Sequence, residues 1–237
     1  MSDSNHQSTL SQKQINSVIS LFSNGQYQGA IDQIKILNKS YPNVPFLFNL
    51  IGACYKELGE LKGAVTMFET AVDIKPDYAE AHNNLGNIYK DLGLFNEAIE
   101  SYEWAISYGP NYTIAHMNLA SIYSSYDLEK ALQHYQKAIS IEPNFPEAHY
   151  SLGTVYSSLG QKDESMKSYE KALEIKPDYA EAHNALSTIK KYIKNDPQIK
   201  QMKTLLKQTN LILPDKVSLN FALAKASEDL GNHKDFF

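Results

Sequence analysis

The chain has 237 residues and a net charge of −5, with 43% hydrophobic and 21% charged residues, a balance expected of a folded domain rather than a disordered tail or a membrane protein. Acids and bases are interleaved rather than gathered in blocks, which argues against nucleic acid as a partner, because phosphate binding needs a clustered basic face. The single cysteine, Cys54, excludes an internal disulfide and a thiolate metal cage, and a cytoplasmic location is expected.

Residues 1–9 (MSDSNHQST) lack the charged and apolar regions of a signal peptide and read as a disordered lead-in. No apolar run approaches the ~18 residues of a membrane-spanning helix, so no membrane partner is expected. From Ser11 a first helix pair is marked weakly, by Gly25, Tyr27, Ala30 and Pro42. A window beginning at Pro45 then recurs at Ala79, Thr113, Pro146 and Ala180. Its fourth residue is Phe48, His82, His116, His149 or His183, and its seventh is Ile51, Leu85, Leu119, Leu152 or Leu186. The eighth is small (Gly52, Gly86, Ala120, Gly153, Ser187) and the eleventh is Tyr55, Tyr89, Tyr123 or Tyr156. Further along come a small residue (Ala64, Ala98, Ala131, Ser165), an aromatic (Phe68, Tyr102, Tyr135, Tyr169), an alanine and a proline.

Each window reads as two helices. His82, Leu85, Ile88 and Tyr89 form one apolar stripe, and Ala98, Ile99, Tyr102, Ala105 and Ile106 form another. Gly59, Gly93 and Gly160 supply left-handed turns between helices, and Asp77 with Glu80, Asn144 with Glu147, and Asp178 with Glu181 have capping-box spacing. The decamer IKPDYAEAHN, written at Ile74 and again at Ile175, is therefore a helix stop, a turn and a helix start. Its copies lie 101 residues apart. Three periods of about 34 would make about 102, so one residue is missing. The window from Thr113 lacks it, passing from Tyr126 to Asp127 without a turn glycine.

These positions resemble the tetratricopeptide repeat, whose signature places an aromatic, Leu-Gly, Tyr, Ala, Phe, Ala and Pro at fixed places in about 34 residues. The resemblance implies an all-α, right-handed superhelical solenoid of antiparallel helix pairs over residues 10–193, with about five full repeats and one extra helix. The first helix of each pair would line a concave groove.

The histidines at 82, 116, 149 and 183 invite a metal reading. Equivalent residues in stacked repeats sit about 8–10 Å apart, whereas a zinc ligand lies about 2.0–2.1 Å from its ion, so packing is expected instead. Cys54 falls at a core position, and Trp104 reads as a packing or outward-facing aromatic. No phosphate-binding glycine loop and no nucleophile elbow appears, so the chain reads as non-enzymatic and no cofactor is expected.

The candidate binding residues line the groove: Asn49, Lys56, Asn83, Asn84, Asn87, Lys90, Asn118, Ser121, Tyr150, Thr154 and Asn184, with Ser157 and Thr188 beside them. A side-chain amide offers both a donor and an acceptor and so matches a peptide backbone unit. Asn84 and Asn118 resemble two rungs of the asparagine ladder of O-linked N-acetylglucosamine transferases, which implies an extended peptide as partner. The basic clamp of co-chaperones is not matched, since asparagine largely fills its positions.

After Leu186 the pattern breaks. A new amphipathic helix is expected from Asp196, with Ile199, Met202, Leu205 and Leu206 on one side and Lys200, Lys203 and Lys207 on another. Residues 194–237 thus read as a helical linker and an incomplete repeat-like segment, with a second helix opening at His233 to Phe237. Asp196-Pro197, Phe221 to Lys225 and Glu228 to Gly231 resemble the junction in bacterial sulfotransferases that carry an N-terminal tetratricopeptide domain. That resemblance implies the substrate-recruiting region of a larger enzyme. The alternatives are a stand-alone assembly scaffold, with self-association through the C-terminal end, and a transferase site that its motifs do not announce.

Overall fold

The structure is a computed structural model that describes residues 10–231; the lead-in expected at 1–9 and the helix opening expected at His233 to Phe237 lie outside the described residues. Every regular element among the described residues is an α-helix. In chain order these are α1 (Gln12–Ser23), α2 (Tyr27–Ser40), α3 (Pro45–Glu57), α4 (Leu61–Ile74), α5 (Ala79–Asp91), α6 (Phe95–Tyr108) and α7 (Thr113–Tyr123). They continue with α8 (Leu128–Ile141), α9 (Pro146–Ser158), α10 (Lys162–Ile175), α11 (Ala180–Ile189), α12 (Pro197–Leu205) and α13 (Leu213–Asp229). None of the described helices is long and apolar enough to cross a membrane. Contacts gather the described residues into two compact units, divided between Leu119 and Ala120 inside α7.

In the first unit, α1, α2 and α3 enclose Val18, Ile31, Ile34, Leu47, Ile51 and Cys54. The next two pairs follow the sequence pattern closely. α5 buries Ala81, Leu85, Gly86 and Ile88, and α6 buries Ala98, Tyr102 and Ala105. The small eighth position takes an aromatic ring directly on its backbone. A Cβ built on Gly52 would lie 2.7 Å from the Phe68 ring, and one on Gly86 would lie 2.5 Å from Tyr102. A packed carbon pair needs about 3.5–4.0 Å, so only glycine lets these helices approach so closely.

The turn between α5 and α6 shows how the pairs reverse. Gly93 has φ +75°, its N–H donates to the Lys90 carbonyl at 3.0 Å, and the Leu94 N–H donates to the Tyr89 carbonyl at 2.8 Å. Both bonds satisfy carbonyls that the helix end would leave open, and the left-handed conformation favours glycine.

In the second unit the shortened copy solves the same problem differently. α7 has 11 residues where α3, α5 and α9 have 13, while α8 keeps the 14 residues of α4, α6 and α10. The turn glycine is replaced by a cap: Asp127 accepts from the Lys130 N–H at 3.0 Å. The other second helices, α2, α4, α6 and α10, have no side-chain cap bond.

The capping boxes expected at Asp77, Asn144 and Asp178 do not form. The N-cap residues of α5, α9 and α11 are Tyr78, Phe145 and Tyr179, none with a side-chain cap bond. The proline-led loop sets the helix one residue later, placing an aromatic at the boundary and moving Asp77, Asn144 and Asp178 off it. Glu80 accepts instead from Asn49, and Glu147 pairs with Lys176 at 3.6 Å. A true capping box forms at Ser11 with Gln14, which the sequence pattern did not flag.

α9 and α10 repeat the ring-on-glycine contact, with Tyr169 against Gly153, and the Ser165 hydroxyl donates to the Gly153 carbonyl at 2.7 Å. The pairing then stops. α11 ends after 10 residues at Lys190, whose φ of −80° and ψ of 142° are extended. Asp196 caps α12 by accepting from the Gln198 N–H at 2.9 Å. As expected, Met202 and Leu205 are buried with Ile199 and Leu206 beside them, while Lys200, Lys203 and Lys207 face away from that core. α13 adds Leu219, Ala222, Leu223 and Ala226 to it, and the Tyr192 N–H donates to Asp229 at 3.1 Å.

Candidate functional site

Asparagine fills the fifth and sixth places of successive first helices, and the structure gives the two places different tasks. Asn49 and Asn83, at the fifth place, are buried, with 5% and 3% of their surface exposed. Each accepts a bond from the sixth place of the next repeat. The Asn84 side-chain N–H donates to Asn49 Oδ1 at 3.0 Å, and that of Asn118 donates to Asn83 Oδ1 at 3.0 Å. Asn49 in turn donates to Glu80 Oε1 at 3.3 Å. An amide buried without partners would cost about 1–3 kcal/mol, so the pairing explains why these side chains are tolerated between helices. Asn84 and Asn118 remain half-buried. Each keeps a carbonyl oxygen and a second N–H beyond the inter-helix bond. A rung held from behind loses little rotamer freedom when it meets a ligand.

Asn87 accepts from the Tyr102 hydroxyl at 2.8 Å, so part of its capacity is internal. Lys56 is exposed and Lys90 half-buried. Tyr78, beside this cluster, has its hydroxyl pushed up to about 12 by burial, reinforced by the Glu80 charge. It stays neutral near pH 7.

In the second unit the expected residues are less alike. Ser121, Thr154 and Ser157 are exposed. Tyr150 is half-buried, its ring 5.7 Å from Tyr169 and 5.2 Å from Tyr179. Thr154 donates to the Tyr150 carbonyl at 3.2 Å and accepts from the Tyr169 hydroxyl at 3.2 Å. Asn184 and Thr188 face an open hollow of about 550 Å3, completed by Ser187, Phe221 and Lys225. Phe221 was legible only as a letter of the C-terminal motif; its place beside Asn184 comes from α13 packing on α11.

The repeated histidines do more than fill space. Nε2 of His82, His116, His149 and His183 lies 2.8, 3.2, 2.9 and 3.0 Å from the carbonyl of Pro76, Pro110, Pro143 and Pro177. A carbonyl only accepts, so each ring donates from Nε2. The bond ties the proline loop to the following helix. His183 has a second partner: Gln198 Nε2 lies 3.1 Å from its Nδ1, and the Gln198 carbonyl oxygen accepts from Lys190 Nζ at 3.4 Å. Lys190 also pairs with Asp196 at 2.9 Å. Burial holds the His183 pKa below its ordinary 6.5, with the Pro177 carbonyl and Asp178 opposing and Lys190 assisting.

Cys54 is fully buried, and burial pushes its thiol up to about 11, so little nucleophilic thiolate is present at neutral pH. Trp104 is 47% exposed and stacks on Tyr108 at 5.7 Å.

The family model for the tetratricopeptide repeat matches residues 79–112 and 146–179, and a second, described as TPR repeat, matches residues 52–93 and 127–160. Anaphase-promoting complex subunit 3 of Dictyostelium discoideum is 43% identical over 54 residues, which are 23% of this chain and 6% of that protein's length. A thermophilic TPR protein of Thermus thermophilus is 27% identical with a TM-score of 0.57, covering 76% of this chain and 100% of that one. YrrB, described as a TPR protein with an unusual peptide-binding site, has a TM-score of 0.59 at 17% identity, covering 84% of this chain and 93% of that one. Period, ring-on-glycine contacts and these matches agree: the chain carries tetratricopeptide repeats, and its fold class is the all-α tetratricopeptide repeat fold.

Proposed function

We propose that the chain is a non-catalytic interaction module whose first-helix face binds an extended segment of a partner protein, with Asn84 and Asn118 as rungs. The observation that carries this reading is the pair of half-buried amides anchored from behind by Asn49 and Asn83. Two equivalent rungs on successive helices suit a backbone, whose donors and acceptors repeat regardless of sequence. The fold shared with YrrB, whose description names a peptide-binding site, supports it.

The test is capture on a peptide array followed by titration of the Asn84→Ala/Asn118→Ala protein. Each hydrogen bond contributes about 0.5–1.5 kcal/mol net, so losing both should weaken binding by about 1–3 kcal/mol, roughly 5- to 150-fold. The loss should be similar for peptides of different sequence and insensitive to salt. A folded double variant that binds as tightly as the parent would return this face to a solvated surface.

A finer reading places the module in a longer, sulfotransferase-type protein, where it would gather substrate for a catalytic part. It rests on the motif at Phe221 to Gly231. Expression of the coding sequence through the region beyond Phe237, with 3′-phosphoadenosine 5′-phosphosulfate binding as readout, tests it. No binding by that longer product would remove the reading. Self-association through the C-terminal end is favoured by Leu213 and Val217, 73% and 46% exposed on α13. Light-scattering mass across a concentration series tests that.

A further inference from the structure

The amide ladder of the first unit has a counterpart in the second that lacks its rung. Asn184 holds the fifth place of its window, as Asn49 and Asn83 do. Those two accept from an asparagine 35 residues later. Thirty-five residues beyond Asn184 is Leu219, which is buried and has no side-chain donor. Asn184 is half-buried and makes no side-chain hydrogen bond to a described residue. Across the hollow, Phe221 leaves 65% of its surface exposed, an aromatic ring without a cover.

The remaining wall decides what the hollow accepts. Lys225 does not offer a bare positive charge: it bonds Asp229 and pairs with Glu228 at 3.5 Å. The Thr188 hydroxyl donates to the Ala185 carbonyl at 2.7 Å, and that of Ser187 donates to the Asn184 carbonyl at 2.6 Å. Both hydroxyls therefore retain acceptor capacity only, while Asn184 offers donor and acceptor together. With Ser187 buried, the lining that a ligand meets is an aromatic ring, one open amide and the Thr188 acceptor, with its lysine already neutralised. The volume of about 550 Å3 sits within the roughly 300–1,000 Å3 range of binding hollows.

Resting on the peptide-binding reading above, we infer that this hollow is an anchor for an uncharged peptide segment carrying an aromatic side chain. The side chain lies on Phe221, Asn184 pairs with the adjoining backbone unit, and Thr188 accepts a backbone N–H. Neutral lining selects against anionic segments, because the paired lysine cannot repay the desolvation of a carboxylate. Aromatic pairs add stabilisation beyond the area they bury, so the ring sets the preference while the amide sets the orientation.

The experiment titrates the full chain, isotope-labelled for NMR, with blocked, uncharged octapeptides that differ at one central residue: phenylalanine, alanine or, as a charged control, glutamate. The phenylalanine peptide is expected to bind about tenfold tighter than the alanine peptide and to shift the Asn184 side-chain amide signals. Phe221→Ala should erase that preference, while Asn184→Ala should weaken both uncharged peptides about equally. Unmoved Asn184 signals, an unchanged ratio in Phe221→Ala, or no binding of the phenylalanine peptide at millimolar concentration overturns the anchor. Affinity lost only in Asn84→Ala/Asn118→Ala would leave the groove reading standing and remove this one; loss in none of the variants would remove both. If Phe221→Ala lowers the light-scattering mass without changing peptide affinity, a second copy fills the hollow and the anchor falls.

Discussion

Gly86→Ala should destabilise the protein even though the same change on an open helix surface would stabilise it. Alanine is favoured over glycine in a helix by about 1 kcal/mol. Against that stands the Tyr102 ring, with Cε1 2.5 Å and Cδ1 2.6 Å from the new Cβ. Relieving the overlap requires a displacement of about 1 Å, since packed carbons sit about 3.5–4.0 Å apart. The ring has no room to give: it is fully buried, and its hydroxyl is held by Asn87 at 2.8 Å. Overpacking costs about 1–3 kcal/mol and a lost hydrogen bond about 0.5–1.5, so the net destabilisation should be about 1–3 kcal/mol. Gly86→Leu should exceed it. Urea unfolding of Gly86→Ala, Tyr102→Leu and the double variant closes a cycle. In the Tyr102→Leu background the alanine should become neutral or stabilising, because the obstacle is gone. A Gly86→Ala protein more stable than the parent, or changes that simply add, would refute the close-approach argument.

Replacing Gly93 by Ala forces a side chain into a left-handed conformation and should cost about 1–2 kcal/mol, read as a lower urea midpoint. Asp127→Ala removes the cap that substitutes for a turn glycine and should cost about 0.5–2 kcal/mol, whereas Asp77→Ala, which caps nothing, should be near neutral in the same assay. His183 is held neutral, with its folded pKa below the unfolded value of 6.5. Its contribution is therefore fully present above about pH 6.5 and falls as pH drops through that value toward the lower folded pKa. Protection of the α12 amides, with the intrinsic pH dependence of exchange divided out, should fall as pH drops below about 6.5, and His183→Phe should flatten the response; equal pH dependence in both proteins would exclude His183 as its source.

The repeat was legible because its signals are local and recur together. The small residue at Gly86 and the aromatic at Tyr102, each a recurring signature position, meet in one helix contact. The missing residue before Asp127 lies where the structure trades a glycine turn for a cap. The capping boxes were misread because a spacing rule sees Asp77 and Glu80 but not that the proline loop hands the boundary to Tyr78. Among the candidate site residues, equivalence along the chain singled out Asn84 and Asn118. It could not show that their partners sit on a diagonal, fifth place to sixth, which buries Asn49 and Asn83. The histidine bond was hidden for a related reason: its acceptor is a backbone carbonyl, and no letter records that.

The two recurring bonds differ in what they cross. The histidine bond spans six residues and, at both copies of the decamer, lies wholly inside the duplicated string. The asparagine bond spans 35 residues and joins one window to its neighbour. A segment copied with its decamer, cut at Ile74 rather than at Ala79, would carry its own fastener with it and arrive with loop and helix already latched. Its amide seam, by contrast, would have to be rewoven with whichever neighbour it met. Growth of such an array is thus forgiving at the latch and selective at the seam, and Asn184 marks a place where the seam has come to an edge.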